Sequence, residues 1–132
     1  IATTRPWNSS SVAAIEFRRG DVVVVNLASA VGVEMQKVRP GVVVQNDVGN
    51  RMSPLTIVAP LTDISQSKGL PVQVDVLGSE LGAGGKDSVI ECGHLRTIDR
   101  DHRIDSSRGV IARLSAATMN RVDRALRVSL GL

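Results

Sequence analysis

Residues 20–27 read GDVVVVNL, and this stretch decides the fold class. Gly and Asp are turn formers, and four consecutive β-branched valines favour an extended strand over a helix. The run is about one strand long, far below the roughly 20 apolar residues that a membrane-spanning helix needs. The sequence therefore predicts a first β-strand that begins after a turn at Gly20.

Further segments of the same kind follow along the chain. Val72, Val74 and Val76 alternate with polar residues, which is the period-two pattern of a half-buried strand. Other β-branched or apolar runs are predicted as strands at residues 41–45, 55–61, 88–92 and 95–98. Residues 46–54 are dense in turn formers and residues 78–85 hold four glycines, so we predict loops there.

The end of the chain changes to helical periodicity. Apolar residues recur on one helical face at Met119, Val122, Leu126 and Leu130. Ser115 is a suitable N-cap, and Gly131 is a suitable stop. Short strands with one terminal helix predict a mainly β domain, in which the strands curl into a small, strongly bent barrel.

The length and the N-terminal composition predict one folded domain. The chain has 132 residues, which is enough for a single core. Residues 2–11 are polar and rich in Ser and Thr, without the apolar block of a signal peptide. We interpret residues 1–17 as an extension that we expect to be flexible, and residues 18–132 as the domain.

Composition excludes several functional classes. Cys92 is the only cysteine, which excludes an intramolecular disulfide and favours a cytoplasmic protein. His94 and His102 are the only histidines, and we expect Cys92 and His94 to lie on one face of a strand. These ligands are too few for a zinc site, so we expect no metal and no cofactor. Trp7 and Phe17 are the only aromatic residues, too few for a stacking platform. With 16 Lys and Arg against 13 Asp and Glu, the net charge of +3 is compatible with a polyanionic partner.

The loop before the second predicted strand concentrates chemically useful side chains. It carries Glu34, Lys37 and Arg39 within six residues. Pro40 favours an extended Arg39, whose guanidinium is suited to phosphate recognition. A salt bridge between Arg39 and Glu34 is the simpler interpretation of these residues alone. Thr62, at the end of the third strand, is by itself an ordinary strand residue.

Six segments, taken together, characterise a protein family more specifically than any one of them does. They are RGDV at 19–22, VGVE at 31–34, RP at 39–40 followed by VVVQND at 42–47, IVAPLT at 57–62, DSVI at 87–90 and LRTID at 95–99. In order and spacing the chain resembles the MazF/PemK toxins over about residues 18–132. This resemblance implies a dimeric, SH3-like barrel that cleaves single-stranded RNA in a sequence-dependent way, with messenger RNA as the expected target. It also implies that a cognate antitoxin silences this activity.

The resemblance also implies roles for individual residues. The family's catalytic arginine falls on Arg39 and its catalytic threonine on Thr62, with Glu34 as a supporting polar group. Positions implied to contact RNA are Val31, Gly32, Val33, Lys37, Asn46, Asn50, Arg51, Ser53, Leu70 and His94. His94 stands where the family usually has Gln, so the base preference does not carry over, because an amide and an imidazole present different hydrogen-bonding edges.

The implied chemistry requires no metal. The ribose 2′-hydroxyl is the nucleophile, and the products are a 2′,3′-cyclic phosphate and a 5′-hydroxyl. In this scheme Arg39 stabilises charge on the phosphate and Thr62 bonds a phosphate oxygen. Glu34 either orients Arg39 or accepts the 2′-proton.

Two other functions remain open from the sequence. A similar barrel serves toxins of the CcdB type, which trap a topoisomerase without cutting RNA, and the polar loops could instead form a partner surface on an inactive module. The antitoxin expected for a MazF/PemK toxin is a disordered segment, which the basic loops predict to be acidic.

Overall fold

A computed structural model describes residues 15–28, 31, 32, 34 and 37–132. Its strands are β1 (Asp21–Asn26), β2 (Val38–Val43), β3 (Leu55–Asp63), β4 (Gln73–Val76), β5 (Ser88–Glu91), β6 (Arg96–Asp99) and β7 (Ala112–Arg113). Its helices are α1 (Asp47–Met52), α2 (Arg100–Arg103) and α3 (Ala116–Leu130). No helix in this described part is long and apolar enough to cross a bilayer.

The valine run forms β1, which is buried on both faces. The sheet order is β4-β5-β3-β2-β1-β7, with β6 also paired to β3, and every pairing is antiparallel. Val22 packs into the core cluster that α3 covers, whereas Val23 and Val25 pack into a second cluster with Phe17 and Ile98. A strand with two buried faces needs apolar residues at every position, which explains why β1 does not alternate.

The sheet curls at the junction between β5 and β6. Both strands pair with the same edge of β3 and run along it in succession. Leu61 and Val58 are three positions apart on β3, but their partners Ile90 and Arg96 are six positions apart. Three extra residues therefore bulge out between β5 and β6 and bend the sheet, as bulges do. The mainly β fold with a C-terminal helix is confirmed, and its curled sheet is a half-barrel.

Helix α3 begins and ends where the sequence predicts. The Ser115 side chain accepts the Thr118 amide at 3.1 Å, which satisfies one of the amide groups left unpaired at a helix start. Gly131 takes the left-handed conformation (φ 72°) that closes many helices. Val122 and Ala125 are buried against the sheet, so this helix completes the first core cluster.

One expectation about the chain is wrong in the structure. Residues 46–54, expected to be a loop, contain α1, because the Asn46 side chain accepts the Gly49 amide at 2.8 Å and caps a helix of only six residues. The folded part also includes residues 15–17 of the expected extension. Phe17 is buried and stacks on the Arg100 guanidinium, which lies 4.3 Å from the ring centre. Trp7 and the rest of residues 1–14 lie outside the described residues.

Candidate active site

Arg39 and Thr62 face each other across a gap between two strands. The β2–β3 ladder pairs Val43 with Val58 and ends at Gly41 with Pro60. Continued by two residues, this register places Arg39 opposite Thr62. Beyond the last pair, Arg39 of β2 still pairs with β1, whereas Thr62 of β3 pairs with β5. Strands β2 and β3 therefore separate at this point. The separation opens a cleft that has one of the two side chains on each side.

This cleft has a volume of about 430 Å³, and both Arg39 and Thr62 line it. The described residues around it also include Lys86 and Arg108, which bring two more positive charges, and the carboxylate of Asp63. Asp63 accepts the Ser65 amide at 2.9 Å, and hydrogen bonds from Ser65 lower the pKa of its carboxyl group. The cleft therefore has an excess of positive charge, as a site for a phosphodiester requires.

The glycine-rich loop at residues 78–85 forms a further wall of the cleft. Gly78 and Gly85 lie so close that a Cβ on Gly78 would be 2.4 Å from the Gly85 carbonyl oxygen. The Asp87 carboxylate accepts the Gly78 amide at 2.8 Å, and the buried side chain of Leu81 anchors the loop in the core. These contacts hold the two ends of the loop together and attach it to the core. The prediction of an irregular segment holds apart from a single 3₁₀ turn at Gly78–Glu80.

A buried carboxylate lies directly behind Thr62. Glu91 is 5% exposed, and its Oε2 accepts the Thr62 hydroxyl at 3.3 Å. Gln73 sits opposite Glu91 in the β4–β5 ladder, and its Nε2 donates to both carboxylate oxygens, at 3.4 and 3.2 Å. Thr62, Glu91 and Gln73 thus form a polar network that spans three strands behind the cleft.

Comparison with known proteins places this arrangement in a family. A family model described as PemK-like, MazF-like toxin of type II toxin-antitoxin systems matches residues 18–130. The chain belongs to the PemK/MazF toxin family. It is 42% identical over 115 residues to endoribonuclease EndoA of Bacillus subtilis, which covers 87% of this chain and 95% of EndoA. It is 39% identical over 116 residues to endoribonuclease MazF of Staphylococcus epidermidis, covering 88% and 92% of the two chains.

Solved structures of PemK/MazF toxins have the same fold. MazF from Deinococcus radiodurans superposes with a TM-score of 0.69 at 28% identity, over 87% of this chain and 96% of that one. A MazE–MazF structure from the same organism gives 0.66 at 27% identity, over 89% and 97% of the two chains. The curled sheet and its terminal helix are therefore a PemK/MazF toxin fold.

The loop before β2 contains several residues that the family resemblance implicates. The Glu34 carboxylate accepts the Val31 amide at 2.6 Å, and the Glu34 amide donates to the Val31 carbonyl at 3.1 Å. Glu34 thus closes a turn of the loop itself. Gly32 and Lys37 both have positive φ, 62° and 83°, and both are exposed. Val33 lies outside the described residues.

The residues around α1 lie far from the cleft within one chain. Leu55, which follows α1, and Thr62 are seven positions apart on β3, and an extended strand of that length spans about 23 Å. Asn46 caps α1, and the Ser53 hydroxyl accepts the Leu55 amide at 3.0 Å. Arg51 is exposed and lines a second cleft of about 350 Å³. A ligand that contacts both regions must therefore be extended or must bridge two copies of the chain.

The interpretation of Asn50 as an RNA contact is wrong. Asn50 is 2% exposed, and its amide oxygen accepts Gln45 Nε2 at 3.1 Å and the Thr56 hydroxyl at 2.8 Å. Its amide nitrogen donates to the Gln45 carbonyl at 3.0 Å and to Asp47 at 3.2 Å. With its hydrogen-bonding groups occupied in the interior, Asn50 fixes α1 to β3. Its partner Asp47 also accepts the Arg19 amide, and that hydrogen bond lowers the pKa of Asp47.

Cys92 and His94 do not share a face, contrary to expectation. Both lie in the bulge between β5 and β6, where the strand alternation is lost; Cys92 is buried and His94 is exposed. Burial raises the pKa of the Cys92 thiol to about 12, so it stays protonated at neutral pH. Leu70 is 48% exposed on the loop before β4. Among the described residues, no group of three or more His, Cys, Asp and Glu is placed to hold a metal ion.

Sequence reasoning missed Lys86, Gln73 and Glu91. Lys86 follows the glycine-rich segment, which the sequence predicts only as a loop. Glu91 had a usable signal: it is an acidic residue inside an otherwise apolar strand, Ser88–Glu91 followed by Cys92. A carboxylate in such a position needs buried donors, which points to a network.

Proposed function

We propose that this chain is the toxin of a toxin–antitoxin pair and that it cleaves single-stranded RNA, with messenger RNA as the target and arrested translation and growth as the result. The cleft between Arg39 and Thr62 is the observation that carries the proposal, because it offers a guanidinium and a hydroxyl to one phosphodiester. The relatives named endoribonuclease, at 42% and 39% identity, support the same activity.

The proposed reaction uses the substrate's own nucleophile. The 2′-hydroxyl gives its proton to solvent as its oxygen attacks the adjacent phosphorus. The bond from phosphorus to the 5′-oxygen breaks, and that oxygen takes up a proton from solvent, so the products are a 2′,3′-cyclic phosphate and a 5′-hydroxyl. Arg39 stabilises the charge that gathers on the phosphate oxygens, and Lys86 and Arg108 hold the flanking backbone. The Thr62 hydroxyl forms a hydrogen bond with the ribonucleotide linkage that reacts. Glu34 keeps the loop in place beside Arg39 through its bond to Val31.

The proposed partners are a cognate antitoxin and a second copy of the chain. The Deinococcus structures titled MazE-MazF support the first. An acidic antitoxin segment would complement the positive cleft. The second has a candidate surface on α1, where Val48 and Met52 are 63% and 70% exposed beside Leu55. Exposed apolar residues at helical spacing suit a two-fold contact, and such a dimer would bring the Asn46, Arg51 and Ser53 region of one copy towards the cleft of the other.

The activity is tested by incubating the purified protein with a long single-stranded RNA in the presence of a chelator. We expect cleavage to proceed in the chelator, because the proposed chemistry needs no metal ion. The fragments should be discrete, because the proposed cleavage depends on the RNA sequence. Heat-denatured protein is the control for contaminating nuclease. Intact RNA in the presence of folded protein would contradict the proposal and favour a toxin that only binds its target.

A further inference from the structure

The Thr62 hydroxyl has a defined direction, set by the carboxylate behind it. Glu91 is buried at 5% exposure, and a charged group in such a place must be satisfied by donors. A carboxylate can only accept hydrogen bonds, and a hydroxyl carries a single proton. In the bond of 3.3 Å between them, Thr62 is therefore the donor and Glu91 the acceptor.

Gln73 fixes the other side of this network. Its side-chain oxygen accepts the Lys68 amide at 2.8 Å, so its nitrogen is the group that faces Glu91. The same nitrogen also donates to the Gln66 carbonyl at 3.1 Å. Gln73 therefore cannot turn its oxygen towards Glu91 without losing the Lys68 and Gln66 contacts, and the carboxylate is held in place as the acceptor for Thr62.

The direction of the Thr62 proton limits what Thr62 can offer to RNA. With its proton given to Glu91, the hydroxyl presents only lone pairs to the cleft. It can then accept a hydrogen bond but cannot donate one to a phosphate oxygen. A hydroxyl that donates to a carboxylate is also a stronger acceptor, because consecutive hydrogen bonds polarise one another.

We propose that Glu91 is a positioning residue that makes Thr62 the hydrogen-bond acceptor for the attacking ribose 2′-hydroxyl. The inference rests on the proposed ribonuclease function and reverses the role for Thr62 that the sequence suggests, a bond to a phosphate oxygen. Thr62 orients the nucleophile, and Arg39, on the opposite side of the cleft, bears the phosphate charge. The two sides of the cleft thus have separate tasks.

The test compares Glu91→Met with Glu91→Gln on a single-stranded RNA oligonucleotide that contains one mapped cut site. Met has a similar length and no acceptor oxygen, so Thr62 loses its partner, and we expect kcat to fall about tenfold with KM unchanged. Gln keeps one oxygen for the Thr62 proton and should retain most of the activity. Affinity for an uncleavable oligonucleotide, with 2′-deoxyribose at the cut site, should not change in either variant.

A double mutant separates positioning from simple stabilisation. In a Thr62→Val background, Glu91→Met should lower kcat no further, because Glu91 acts through the hydroxyl that is already gone. The control is Asp123→Leu on α3, since the Asp123 carboxylate accepts a hydrogen bond from Arg19 Nη2 at 2.8 Å and does not line the cleft. We expect this control to lower the melting temperature and to leave kcat unchanged.

Three results would overturn the inference while the unaltered protein still cuts RNA. They are an unchanged kcat in Glu91→Met, losses from Glu91→Met and Thr62→Val that multiply in the double mutant, and a kcat in Asp123→Leu that falls with its melting temperature as far as it does in Glu91→Met. Failure of the unaltered protein to cut RNA would instead remove the proposed function, and the inference with it.

Discussion

Replacement of Arg39 by Ala is expected to lower the rate of RNA cleavage on the order of a thousandfold. Arg39 lines the same cleft as Thr62, and the proposed reaction develops charge on the phosphate there. Loss of the guanidinium removes the donors aimed at that charge, whereas Lys86 and Arg108 remain to hold the backbone. The rate should therefore fall much more than the affinity, as measured by single-turnover cleavage and by binding of an uncleavable oligonucleotide.

Two controls isolate the role of the guanidinium. Arg39→Lys keeps the charge but lacks the planar fork, so its rate should lie between those of the Ala variant and the unaltered protein. Arg127→Ala removes one exposed positive charge from the last turn of α3 and should cleave normally. Cleavage by folded Arg39→Ala within a few-fold of the unaltered rate would exclude the assigned role.

Gly82→Ala is expected to lower the free energy of unfolding by about 3 kcal/mol. Gly82 has a φ of 87°, which L residues rarely adopt, and an added Cβ would lie 2.5 Å from the Ile111 carbonyl oxygen. Ile111 cannot easily move, because its amide donates to the Val22 carbonyl of β1 at 2.9 Å. The loop must therefore shift, and the wall of the cleft shifts with it. Denaturant unfolding and RNA cleavage measure the two effects.

Gly84→Ala is the matched control within the same loop. Gly84 also has a positive φ, 76°, but an added Cβ would meet nothing within 4 Å. Only backbone strain remains, which costs about 1 kcal/mol. Equal losses of stability in the two variants would show that the contact with Ile111 does not hold the loop.

The fold was predictable where one local signal dominates. The valine run gives β1, the alternation at residues 72–76 gives β4, and the periodicity with Ser115 and Gly131 gives α3. Helix α1 was missed because its six residues are too few for a periodic pattern, and because Asn46, which caps it, equally suits a turn. The bulge between β5 and β6 depends on pairing with β3, which no local pattern encodes.

The candidate site was predictable only in part for a similar reason. Arg39 and Thr62 were identified by the family's motifs, and the β2–β3 register explains how residues 23 positions apart come to face one another. Asn50 was assigned to RNA by the family resemblance, whereas its side-chain amide fastens α1 to β3. Glu91 meets Thr62 only because β5 pairs with β3, and no local pattern encodes that pairing.

The most direct test of the central claim is cleavage of an oligonucleotide with one deoxyribose, placed at the nucleotide that supplies the nucleophile. We expect this substrate to stay intact at that site, while an all-ribose oligonucleotide of the same sequence is cut to a 2′,3′-cyclic phosphate detectable by mass spectrometry. Cleavage of the deoxyribose linkage would contradict the account, because the attacking group would then be water.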